Sequence, residues 1–100
     1  MRQKIVRPSL AESETLAAQA FAFLCGERKR AERFMQLTGL DPANLPALAG
    51  ERSFLAGVLE HMLTDESLLL TFCANHGIEP ESIGAAQRQL SDQPDGGPEG

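Results

Sequence analysis

The apolar positions along the chain repeat at helical spacing, and glycine or proline interrupts them at short intervals. Leu16, Ala20, Phe23 and Leu24 fall on one face of a helix, with Ala17 and Phe21 widening the stripe. Ser9-Leu10-Ala11-Glu12 just before them has the form of a capping box, and Ser13 is a second candidate cap. Gly26 ends this first helix. The second opens at Glu27-Arg28-Lys29-Arg30 and carries Ala31, Phe34, Met35 and Thr38 on one face, up to Gly39. Asp41 then caps a short third element with Pro42 at its first position, where a missing N–H costs nothing. Pro46 limits that element to a turn or two.

Ser53 is the expected cap of a fourth helix, in which Phe54, Leu55, Val58, Leu59, Met62 and Leu63 form a wide stripe. Gly57 lies inside it at a cost of about 1 kcal/mol relative to Ala, which close approach of another helix would explain. Thr64 is the expected cap of a fifth helix, with Asp65 and Glu66 in the first turn, where the helix dipole favours acids. Leu68, Leu69, Leu70, Phe72 and Cys73 make this the most apolar element, expected at the centre of the fold. Gly77 ends it, and Glu79-Pro80-Glu81 starts a sixth helix running to about residue 90.

The stretches FMQLTGLDPANL (34–45) and FCANHGIEPESI (72–83) align at an offset of 38 residues. Phe plugs the core, Gly takes a left-handed cap, Leu or Ile packs back beneath the helix end, an acid caps the next helix and Pro opens it. Helix 14–24 maps onto 53–63, and 28–38 onto 66–76. Two units are too few for an open solenoid, so they are expected to close face to face. The predicted fold is all-α, a compact orthogonal bundle of five or six short helices built from two related helix-hairpin-corner units. The ordered domain is expected over 9–90, with 1–8 flexible and the Pro/Gly-rich acidic segment 91–100 disordered.

Composition narrows the functional classes. Hydrophobic residues make up 42% of the 100, with Phe the only aromatic, so the core is Leu, Ala and Phe. The formal charge of −5 disfavours non-specific binding to nucleic acid or anionic membrane. No apolar run approaches the roughly 18 residues of a membrane span. No secretory leader is recognisable, and Cys25 and Cys73, far apart and each within an apolar run, read as buried thiols of a cytoplasmic protein.

Candidate chemistry is sparse. Cys73-x-x-His76 has ligand-like spacing, with His61 and Cys25 as completions, but structural zinc sites bring paired clusters; no metal or cofactor is expected. Glu60, His61, Asp65 and Glu66 gather at one corner where acid–base work is conceivable, yet no nucleophile motif or phosphate loop accompanies them, and no enzyme is expected. Residues 73–90 have helix-turn-helix spacing: small Cys73, then Gly77, Ile78 and Ile83, followed by a helix offering Ser82, Gln87, Arg88 and Gln89. Glu79 and Glu81 stand where phosphates would come, and the same spacing at 35–45 leads into a helix with almost no basic charge. The basic run Arg28, Lys29, Arg30 and Arg33 has the character of a solvated face.

The blocks ETLAAQAFAFL (14–24), RFMQLTGLDPANL (33–45), FLAGVLEHMLTDESLLLTFC (54–73) and GIEPE (77–81), in this order, resemble a family of short alphaproteobacterial proteins grouped as a domain of unknown function. The likeness covers residues 12–90. It implies a bacterial, cytoplasmic, helical protein and carries no catalytic residues with it. The functional expectation is therefore a protein-interaction or homo-oligomerisation module using the apolar surface around Leu68 and Leu70 and the corner formed by His61, Asp65 and Glu66. The alternative is a nucleic-acid binder acting through 73–90.

Overall fold

The first helix begins where its capping box dictates. The Ser9 hydroxyl accepts from the Glu12 N–H at 3.1 Å and the Glu12 carboxylate accepts from the Ser9 N–H at 2.9 Å, so two orphan donors are satisfied at once. The computed structural model describes residues 7–48 and 50–92; the segments 1–6 and 93–100, which hold most of the two terminal regions set apart in the sequence, lie outside the described residues. The order is α1 (Leu10–Cys25), α2 (Arg28–Thr38), a 3-10 turn (Pro42–Asn44), the one-turn α3 (Leu45–Leu48), α4 (Arg52–Leu63), α5 (Glu66–His76) and α6 (Pro80–Asp92). No strand occurs among the described residues, and the molecule is an all-α bundle.

The two corner glycines behave as the repeat requires. Gly39 and Gly77 have φ of 72° and 64°, the left-handed region that a side chain disfavours. Each sends its N–H back to the carbonyl four residues earlier, Met35 and Cys73, and Ile78 adds a second bond to Cys73 at 3.0 Å. After the first corner the Asp41 carboxylate accepts from the Ala43 N–H at 3.1 Å, and the helix it starts stays short, as Pro46 demands.

Two caps fall elsewhere than expected. Helix α4 starts two residues early, with Glu51 rather than Ser53 at the cap position, and Arg52 in its first turn bonds to Glu14 of α1 at 3.3 Å. Thr64 closes α4 instead of opening α5: its N–H donates to the Glu60 and His61 carbonyls and its hydroxyl to His61 at 2.7 Å. The extended backbone at Asp65 then makes this carboxylate the cap of α5, accepting from the Leu68 N–H at 3.2 Å. Ser13 is not a cap; its hydroxyl is fully buried on the core face of α1.

The centre is α4, not α5. Val58, Leu59 and Met62 are completely covered, and α4 packs along α6 and α1. Helix α5 buries only Phe72 and Cys73. Successive helical residues point about 100° apart, so Leu68-Leu69-Leu70 spread their apolar character around the helix. Leu68 and Leu69 reach the core edge, while Leu70 stays 47% exposed. The apolar residues of α4 form one broad face and can be enclosed together.

The helix pairs α1–α2 and α4–α5 meet reciprocally, whereas α6 packs along α4 and α1 and its counterpart α3 does not. The Phe34 ring packs against His61 at 5.1 Å between centroids, and Phe72 packs against Phe23 at 5.3 Å. Phe34 and Phe72 are 38 residues apart, as are Phe23 and His61. When position i of one unit touches position j of the other, and j of the first touches i of the second, the pairing has the reciprocity of a two-fold interface. The Arg52–Glu14 ion pair, also 38 residues apart, joins a position to its own equivalent. Equivalent core positions are buried alike: Leu16 and Phe54, Ala17 and Leu55, Ala20 and Val58, Leu24 and Met62.

Candidate functional site

Helices α2 and α4 leave a groove between them. From α2 it is lined by Phe34, Leu37 and Thr38, with Leu40 just beyond; from α4 by Ser53, Phe54, Gly57, Glu60, His61 and Thr64. Two hollows, about 470 and 190 Å³, adjoin at Thr38 and Gly57. Gly57 lies on the groove's lining with open space above it: a Cβ placed there meets no described atom within 4 Å. The glycine therefore does not admit a close helix, as its position in the stripe suggested; it faces a recess. At the equivalent position of the first unit stands Gln19, half-buried, with its carbonyl oxygen enclosed. Leu37 is 62% exposed and stands on the groove wall.

His61 is 7% exposed and set edge-on to Phe34. Burial lowers its pKa below the usual 6.5, and the charge of Arg33 adds to this, while Asp65 opposes it. The imidazole is thus neutral at pH 7. Among the described residues no carboxylate is hydrogen-bonded to it. Asp65 spends one oxygen on the α5 cap, and Glu60 and Glu66 are exposed.

Of the residues singled out in the sequence, His61 and Asp65 come within electrostatic reach of each other, and Asp65 holds the backbone of Leu68. Leu70 stands apart on α5, outside the groove. Leu37 escaped notice, although it had a readable signal: a large apolar residue off the stripe of an amphipathic helix. Gly57 was noticed, but its effect depends on the facing helix.

The remaining constellations disperse. Cys73 is buried, and burial, then Glu79, raises its pKa. Cys25 is exposed rather than buried, because Leu24 takes the core direction at the end of α1 and the next residue turns away. His76 packs on Phe72, with ring centroids 4.5 Å apart and the planes tilted by 40°. Among the described residues no three His, Cys, Asp or Glu side chains gather as metal ligands. In the helix-turn-helix-like unit Ser82 is fully buried, Gln89 donates to the Pro8 carbonyl at 3.4 Å and Gln87 to Ser91 at 2.9 Å. Arg88 lines a shallow cleft with Arg7 and Glu81. No helix among the described residues is long and apolar enough to cross a membrane.

Fold and groove together define a small all-α protein with a helix–helix groove, apolar around Phe34 and Phe54 and polar around Glu60, His61 and Thr64. The chain belongs to the family described as protein of unknown function (DUF3572), whose model matches residues 10–93. No curated protein and no solved structure matches it.

Proposed function

We propose that this protein is a protein-interaction module, not an enzyme, and that the α2/α4 groove is its binding surface. The observation that carries the reading is Leu37, 62% exposed beside a recess lined by a helical glycine. A single exposed leucine is ordinary, but an exposed leucine on the wall of a groove that continues past Gly57 to Phe34, Leu40 and Phe54 is the form of a partner site. Leu70, one turn beyond Glu66 on α5, offers a second exposed apolar position beside the Asp65–Glu66 corner. A buried neutral His61 without a bonded carboxylate favours binding over acid–base chemistry. A free exposed Cys25 suits the reducing cytoplasm.

The test is a photo-crosslinking residue at position 37, with the exposed Ala18 of α1 as control. A discrete crosslinked species from 37 and none from 18 is the expected result; equal yields at both sites would sink the reading. Binding to nucleic acid through 73–90 finds less support, since three of its four reading side chains are buried or already hydrogen-bonded. It requires salt-sensitive DNA binding that weakens on Arg88→Ala.

A further inference from the structure

We infer that the occupant of the groove is a second copy of this chain, docked through a two-fold interface in which Leu37 of each copy enters the Gly57 recess of the other. The inference rests on the interaction reading above and names its partner. A patch that carries a projection and a recess side by side is complementary to itself under a two-fold rotation, the commonest symmetry of homodimers. Leu37 is the projection and the hollow above Gly57 the recess, and Leu37 and Gly57 both line it.

Charge agrees with this pairing. Arg33 lies one turn before Leu37 on α2, and Glu60 lies one turn beyond Gly57 on α4; both are exposed, and neither forms an ion pair among the described residues. When Leu37 of one copy enters the opposite recess, the positive charge beside the projection approaches the negative charge beside the hole, twice over. Opposite charges so placed fix register and suppress competing arrangements. Leu70, by contrast, stands on α5 and lines neither of the two hollows of the groove.

The internal repeat supplies an independent argument. The first unit carries Gln19 where the second carries Gly57, Ala22 where it carries Glu60, and Asn75 stands at the equivalent of Leu37. Projection, recess and acidic flank therefore occur together in one unit pairing and are all missing from its reciprocal counterpart. The α1/α5 pairing carries Gln19 and Asn75 in the places of Gly57 and Leu37, while the α2/α4 pairing keeps a hollow there. A patch of this size belongs to the weaker class of interfaces, so the association is expected at high micromolar concentration.

Sedimentation equilibrium of the full chain, from ten micromolar to one millimolar, decides the matter. The wild type is expected to show a monomer–dimer equilibrium. Gly57→Gln, which restores the first unit's residue, and Leu37→Glu, at an exposed site, are each expected to raise the dissociation constant at least tenfold while the melting temperature holds or rises. Arg33→Glu and Glu60→Arg should each weaken the dimer and, combined, restore it. A strict monomer at one millimolar overturns the inference, as does a dimer that survives both Gly57→Gln and Leu37→Glu. Should position 37 still crosslink to a different protein in that event, the interaction reading stands and only the second copy falls. A dimer lost to Leu70→Lys but not to Leu37→Glu places the interface on α5 and overturns the inference in the same way.

Discussion

His61 shows how one substitution between the repeat units changes what a position does. Its equivalent, Phe23, packs on Phe72 and receives the Arg30 guanidinium over its ring at 4.1 Å. His61 keeps the ring-on-ring contact with Phe34 but adds a titratable group in a covered place. Because burial lowers its folded pKa below the ordinary 6.5, the unfolded chain takes up a proton at higher pH than the folded one. Stability from this residue is fully present above pH 6.5, falls as the pH drops from 6.5 toward the folded value, and levels off below it. Urea titrations from pH 7.5 down should show this loss in the wild type and not in His61→Phe, which retains the aromatic pair. Identical pH profiles for the two proteins would remove the desolvated imidazole from the account. Burial of the His61 ring follows from Phe34, 27 positions away, and no local pattern around His61 announces it.

The helices themselves were largely readable, and their boundaries were readable wherever a cap works within its own turn. The Ser9–Glu12 box and the glycines at 39 and 77 do their work within six residues, so short-range chemistry is enough to find them. The start of α4 lies two residues, and the cap of α5 one residue, from where local pattern puts them: Arg52 answers to Glu14 on another helix and Thr64 completes the preceding turn. The corrected caps carry their own energetic signature. Asp65→Ala should cost about 1 kcal/mol by removing the side-chain acceptor of the Leu68 N–H. Thr64→Ala should cost less, since the Thr64 N–H bonds to α4 remain. Chemical denaturation of the two variants checks the order, and a larger loss at Thr64 would return the cap to it.

At the scale of the whole molecule, a reciprocal pairing of α1–α2 with α4–α5 is completed by α6, which lies along α4 and α1. Phe34 and Phe72 are equivalent residues, 1% and 0% exposed, each plugged against the partner unit's ring. Phe34→Ala and Phe72→Ala should therefore each cost about 3–5 kcal/mol, the range for emptying a buried aromatic site, a large share of the stability of a domain this small. Calorimetry of both variants is the check. A near-neutral result at either position would break the equivalence of the two units.

What the sequence determined by itself was everything that acts over one or two turns: six helix-forming segments, the capping box, the left-handed glycine corners and the repeat that places them. Hydrophobic spacing, cap chemistry and glycine's backbone freedom are local, and they are written in consecutive residues. Which helix became the centre, whether Cys25 was covered, and whether Gly57 admitted a neighbour or faced a groove were decided only by packing between segments far apart in the chain. Burial belongs to pairs of surfaces. α4 could enclose its single broad face, α5 could not enclose three leucines pointing three ways, and the space above Gly57 stayed open because α2 presents Leu37 beside it instead of across it.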